Sequence, residues 1–224
     1  MKLKGIIFDG DGVLFNTEQL HVIAWKKILP FYNINLNSED FNEGVGVEDA
    51  EFLKKLLIKG KISKNIKIEE IVREKNDELI KILNNENLEN NNEIIEILKF
   101  LRNKYKIALA SNSEKKFVYK VVEKLKIAEY FDLIITKNDV KNPKPHPDIY
   151  LLTLKLLNIP CENLIAFEDS ETGISSAKKT GIFCVAVATT SPVEKLKMAD
   201  IIINELTLKN VKSIIRIFEK KYED

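Results

Sequence analysis

Two aspartates stand two residues apart, each followed by glycine, in Phe8-Asp9-Gly10-Asp11-Gly12-Val13, directly after the apolar run GIIF. A single Asp-Gly pair is an ordinary turn signal. Here the strand ejects Asp9 at its carboxyl end, where open α/β sheets bind ligands, and the glycines let the backbone approach a ligand closely. Three further apolar runs end in polar groups: Ser111-Asn112-Ser113 after IALA, Lys144 in the loop after LIIT, and Glu168-Asp169 after LIAF. Taken singly, these read as a helix cap, a solvated loop charge and a capping acid for the helix starting near Glu171. Taken together, four strand ends deliver a nucleophile-type carboxylate, a hydroxyl, an ammonium and an acidic pair to one sheet edge, the composition of a catalytic site.

The order and spacing of these motifs resemble the haloacid dehalogenase-like superfamily, most closely its β-phosphoglucomutase-like and phosphatase members. The resemblance runs through FDGDGVLFNTEQLH with a following AW, then ASNS, NPKPHPDIY and FEDSETGISSAKKTG, and so spans nearly the whole chain. It implies a Rossmann-like core with a helical cap, Mg²⁺ dependence, and phosphoryl transfer through an aspartyl-phosphate intermediate. On this resemblance Asp9 is the nucleophile. Asp11 protonates the leaving oxygen and later deprotonates the attacking water, which calls for a second carboxyl that stays off the phosphorus. Mg²⁺ takes hard oxygen ligands, and the resemblance assigns it to Asp9, the main-chain carbonyl of Asp11 and Asp169, with Glu168 behind them. Ser111 and Lys144 complete a cradle for the non-bridging phosphate oxygens, and Asn112 adds a substrate-binding donor. Thr17 and His21 match family positions at the hinge between core and cap, where they bind substrate, orient Asp11 or sense closure. Their plainer reading is a helix cap and a partly buried helix histidine, and Trp25, on the same face as His21, reads as core.

Within that superfamily the sequence favours a phosphatase acting on a sugar phosphate or similar small phosphorylated metabolite. A dehalogenase needs neither Asp11 nor a metal, and a non-catalytic binding protein on this fold would not retain every catalytic position. The nearer alternative is a β-phosphoglucomutase-type phosphohexomutase, which must hold the distal phosphate of a bisphosphorylated intermediate with cations. Mutase-type relatives place a cap arginine in the stretch that here reads Glu43 to Asp49, aligned with Val47, and a lysine shortly after the motif serine, where this chain has Glu114. Lys54, Lys55 and Lys116 are the nearby cations that would have to compensate.

The elements that must position these groups follow from periodicity. Short β-branched runs at Leu3 to Phe8, Lys106 to Ala110, Leu133 to Thr136, Leu164 to Phe167 and Phe183 to Val187 alternate with helical patterns at about 93–103, 114–126, 147–158, 171–180 and 208–220. That alternation predicts a doubly wound parallel sheet with both faces covered, and Asp200 to Ile203 adds an edge strand. Pro147 and Pro192 sit near helix starts. About a hundred residues separate the first strand from the second, far more than the later intervals. Patterns at about 18–31, 48–59 and 68–84 are helical there, with Ala50, Phe52, Leu53, Leu56 and Leu57 on one stripe. The expected organisation is an α/β core over 1–16 and 89–224 and an inserted α-helical cap over 17–88, with Asn84 to Asn92 a solvated return linker.

Composition narrows the partners. With 35 Lys+Arg against 34 Asp+Glu in 224 residues, the chain has no excess field to hold nucleic acid or an anionic membrane. The first apolar run stops at Asp9, too soon for a signal peptide, and no run approaches the roughly 18 apolar residues of a spanning helix. Cys161 and Cys184 lack CxxC or Cys/His company, so neither a disulfide framework nor a zinc site is expected. The expectation is a cytoplasmic protein, monomeric or weakly self-associating.

Overall fold

The computed structural model describes residues 2–44, 47–63, 65–88 and 91–221. The chain divides into two compact units, Met1–Asn16 with Leu88–Asp224, and Thr17–Asn87. In chain order the regular elements are β1 (Gly5–Phe8), α1 (Glu18–Ile28), α2 (Ser38–Asn42), α3 (Asp49–Ile58), α4 (Ile68–Asn85), α5 (Asn92–Arg102), β2 (Lys106–Ser111), α6 (Lys115–Lys124), β3 (Leu133–Thr136), α7 (Asp148–Leu157), β4 (Leu164–Glu168), α8 (Glu171–Lys178), β5 (Phe183–Val187), β6 (Ile201–Ile203) and α9 (Leu208–Lys221).

The first unit is a six-stranded sheet in the order β3-β2-β1-β4-β5-β6, parallel throughout. Every residue of β1, β4 and β5 is buried, as strands covered on both faces must be. Ile7, Ala108 and Ala166 pack with Ile149 and Tyr150 of α7 and Ile174 of α8 in one core layer. Elsewhere in the unit, α5 buries Ile94, Ile97, Leu98 and Leu101, and α9 buries Val211, Ile214, Ile215 and Phe218, the same i, i+3, i+4, i+7 stripe in each. The chain leaves β1 in one direction for β2 and β3 and in the other for β4 to β6, and such a reversal opens a ligand crevice at the carboxyl ends of the strands. Register fixes what stands there. Phe8 pairs with Leu109 on one side and Phe167 on the other, so the next residues, Asp9, Ala110 and Glu168, fall at one level.

The first strand is shorter than the expected Leu3 to Phe8, although Lys4 still bonds to Asn163 and Lys106 through its backbone. The edge strand forms, over Ile201–Ile203. Pro147 stands immediately before α7, but Pro192 introduces only a 3₁₀ turn over Val193–Lys195 and no α-helix.

The second unit is helical, from α1 to α4. Phe52, Leu53 and Leu56 of α3 are buried with Trp25, Ile28, Phe41 and Ile71, while Ala50 and Leu57 of the expected stripe stay part-exposed. The helix expected over 18–31 ends as an α-helix at Ile28 and continues as a 3₁₀ turn, Leu29–Tyr32, because Pro30 has no N–H to continue the ladder. The five-residue α2 is too short to show periodicity. Its signal is the capping box, with Asn37 Oδ1 accepting from the Asp40 N–H at 2.9 Å and Asp40 Oδ2 accepting from the Asn37 N–H at 3.1 Å. Between α4 and α5, residues 89 and 90 of the expected linker lie outside the described residues, as do Val45 and Gly46. No helix among the described residues is long and apolar enough to cross a membrane.

Candidate active site

At the common level set by register, Lys144 reaches in from the loop after β3. Its Nζ donates to Asp9 Oδ1 at 2.6 Å, Glu168 Oε1 at 2.7 Å and the Ala110 carbonyl at 2.7 Å, which uses the three protons of an ammonium. Burial works against the charge on Lys144, but the carboxylates of Asp9 and Glu168 outweigh it and hold the ammonium above the ordinary lysine value. Glu168 is fully buried, and burial, with Asp9 adding to it, raises its carboxyl from 4.5 to about 7 against the pull of Lys144. Tyr150, also buried, donates its hydroxyl to Glu168 Oε1 at 2.5 Å. Burial first, then the charge of Glu168, push this phenol well up, so it remains a donor.

The loop bearing Lys144 is held from several sides. Asn112 Oδ1 accepts from the Lys144 N–H at 2.9 Å while its Nδ2 donates to the Lys144 carbonyl at 3.1 Å. Asn142 donates from N and Nδ2 to Asp148 Oδ2, and Ser176 Oγ donates to the His146 carbonyl. Asn112, expected to bind substrate, therefore spends its carbonyl and one N–H of its amide in clamping the main chain of Lys144.

The second carboxylate pair is set by glycines and hydroxyls. Gly12 adopts φ +78°, and a Cβ there would fall 2.0 Å from Asp169 Oδ2, so both conformation and space demand glycine. Thr189 Oγ1 donates to the Gly12 carbonyl at 2.5 Å, and Thr190 Oγ1 donates to Asp169 Oδ2. Gly173 plays a similar part on α8, where a Cβ would stand 1.8 Å from Glu168 Oε2. Asp11 turns its carboxylate to Ser113, whose Oγ donates to Oδ2 at 2.8 Å, and the Ser113 N–H donates to Ser111 Oγ at 3.0 Å.

Asp9, Glu168 and Asp169, all buried, can place one carboxylate oxygen each within 4.8 Å of one another. Lys144 is paired with two of the three, Asp9 and Glu168, and Glu168 Oε2 is buried with no hydrogen-bond partner among the described residues. An all-oxygen, excess-negative donor set of this kind fits a hard divalent cation. Glu168 is one of the three members of this cluster, and the carboxylate of Asp11 is not among them.

Thr17 and His21 belong to the helical unit. Thr17 is fully buried at the N-cap of α1, although its side chain does not make the capping bond. His21 Nδ1 lies 2.9 Å from Nζ of Lys75, a fully buried lysine that also donates to both oxygens of Asp49 at 2.8 and 2.9 Å. An ammonium has only protons to give, so Nδ1 is the acceptor in this contact. Trp25 is core, with Lys75 Nζ 5.2 Å from its ring centroid. Glu114 is paired with Lys137 at 3.1 Å, and Val47 is half-buried.

Sequence reasoning missed the roles of Ser113, Tyr150, Thr189 and Thr190. The threonines follow β5, so their place just after a strand end is the signal that marks them. Tyr150 carries no such signal, because within α7 it reads as ordinary core.

A family model described as "Haloacid dehalogenase-like hydrolase" matches residues 6–187. The chain is 33% identical over 181 residues to "Phosphorylated carbohydrates phosphatase" of Thermotoga maritima, covering 80% of this chain and 82% of the relative. It is 34% identical to "Beta-phosphoglucomutase" of Bacillus subtilis, covering 85% and 86%. Among solved structures, β-phosphoglucomutase from Clostridium difficile superposes with a TM-score of 0.83 at 28% identity, covering 97% of this chain and 99% of that one.

Proposed function

The chain belongs to the haloacid dehalogenase-like hydrolases, and from its place among their phosphatases and phosphomutases we propose that it is a Mg²⁺-dependent phosphatase of sugar phosphates or similar small metabolites, working through an aspartyl-phosphate on Asp9. The observation that carries this reading is the seating of Asp9: a buried carboxylate at the end of the central strand, held through Oδ1 by Lys144 and lying beside Glu168 and Asp169.

Phosphate monoesters react so slowly unaided that enzymatic acceleration approaches about 10²¹-fold, which calls for covalent capture together with charge neutralisation. In the first half-reaction an oxygen of Asp9 forms a bond to phosphorus, the bond to the ester oxygen breaks, and Asp11 gives that oxygen a proton. In the second, Asp11 takes a proton from water as its oxygen attacks phosphorus, the bond to Asp9 breaks, and inorganic phosphate leaves. Lys144 offsets the charge of Asp9 beside a dianion, and Ser111 donates to a non-bridging oxygen. Mg²⁺, when held by Asp9, the Asp11 carbonyl and Asp169 with Glu168 adjoining, supplies further neutralisation of the transferring group.

The mutase reading draws support from the identity to the Bacillus relative. Against it stand the two missing cations. The ion pair of Glu114 with Lys137 offsets its negative charge, which leaves apolar Val47 in place of an arginine as the stronger of the two departures. A panel of phosphorylated metabolites assayed with Mg²⁺ for free phosphate tests the proposal. It includes β-glucose 1-phosphate with a trace of its bisphosphate, where the phosphatase reading expects phosphate release to outpace formation of glucose 6-phosphate and the reverse order overturns it.

A further inference from the structure

We infer that Ser113 helps to position Asp11 for proton transfer and fixes the orientation of Ser111 while doing so. The inference rests on the phosphatase reading above and assigns a residue that reading does not use.

Asp11 lies between Gly10 and Gly12, so no adjacent side chain restrains its carboxyl. One restraint comes from 102 residues away, where Ser113 in the loop after β2 donates its hydroxyl to Asp11 Oδ2 at 2.8 Å. A hydroxyl has one proton, and toward a carboxylate it can only donate.

The same residue acts on the other side of the cradle. The Ser113 N–H occupies one lone pair of Ser111 Oγ at 3.0 Å, so the Ser111 hydroxyl proton is turned away from that nitrogen, free to donate to a ligand. The leaving oxygen is bonded to the phosphorus that Ser111 steadies and must meet the carboxyl of Asp11. One residue tied to both sets their separation, and misplacement of a catalytic group by about 1 Å can lower rate by about 10²-fold.

Ser113→Ala removes the hydroxyl and leaves the main-chain bond to Ser111 intact, whereas Ser113→Thr keeps both. The test compares kcat/KM on an alkyl phosphate from the panel, whose alkoxide must be protonated to depart, with that on p-nitrophenyl phosphate, whose phenolate departs with little help. Ser113→Ala should lose about 10- to 100-fold on the alkyl ester and less than about threefold on the nitrophenyl ester, and Ser113→Thr should restore most of the loss. Equal losses on both esters, or no loss on the alkyl ester, overturn the inference, since a merely structural role does not distinguish leaving groups. A wild-type chain that releases phosphate from neither ester fails the phosphatase reading and takes this inference with it.

Discussion

The ammonium of Lys144 stands 2.7 Å from Glu168 Oε1 in a site where both side chains are almost wholly buried, and it shares itself with Asp9 at 2.6 Å. Breaking such a contact from one side strands the remaining charge. Lys144→Met should therefore lower stability by about 3–5 kcal/mol in metal-free protein, as for other buried pairs stripped of one partner. Urea unfolding in chelator measures it, and a change below about 1 kcal/mol would mean the carboxylates do not depend on this cation.

Glu168 gives that stability a pH dependence of definite sign. Its carboxyl is raised from 4.5 to about 7 by burial, so the folded chain binds more protons at this group than the unfolded chain between those values. Stability linked to it is full below about 4.5 and is lost as pH rises through about 7. In chelator the melting temperature should fall from pH 5 to 7.5, the fall should shrink with excess Mg²⁺, which favours the ionised form, and Glu168→Gln should flatten it. A melting temperature that climbs over this range in chelator and in Glu168→Gln alike would contradict the assignment.

Thr190 donates to Asp169 Oδ2 from the end of β5, and an outer hydrogen bond of this kind orients a metal-binding carboxylate. Thr190→Val should weaken Mg²⁺ binding by about 10- to 100-fold in calorimetry of the metal-free protein. Asp169→Ala should abolish the binding heat altogether. Unaltered affinity in Thr190→Val would confine the threonine to packing.

Asp11→Asn retains the main-chain carbonyl but removes the transferable proton. Turnover of alkyl phosphates should fall by about 10²- to 10⁴-fold, while Mg²⁺ affinity stays within a few-fold of wild type. A loss of metal binding as large as the loss of rate would show that Asp11 serves the cation and not the proton.

The sheet was readable from sequence because its strands are short apolar runs that end abruptly in polar residues. Asp9, Ser111 and Glu168-Asp169 stand at those ends, and Lys144 stands in the loop that follows another of them. What sequence does not carry is which loop residue turns toward which. Asn112 has the donors of a ligand-binding residue, yet the path of the 142–147 loop brings the Lys144 backbone to it first. Ser113 stands in the quoted motif, but its tie to Asp11 depends on two loops meeting across 102 residues. In the helical unit, the burial of Lys75 against Asp49 and His21 ran against the expectation that lysine stays in solvent, and only the packing of α1, α3 and α4 shows it.

The central claim is covalent capture by Asp9, and mass spectrometry of acid-quenched enzyme during turnover tests it most directly. Digestion of protein quenched with saturating substrate and Mg²⁺ should yield the peptide containing Asp9 heavier by one phosphoryl group, with the adduct gone once substrate is exhausted. Asp9→Asn should show neither the adduct nor appreciable turnover while keeping its fold. Sustained phosphate release by Asp9→Asn at the wild-type rate, or turnover with the phosphoryl group found on another residue, would contradict the account.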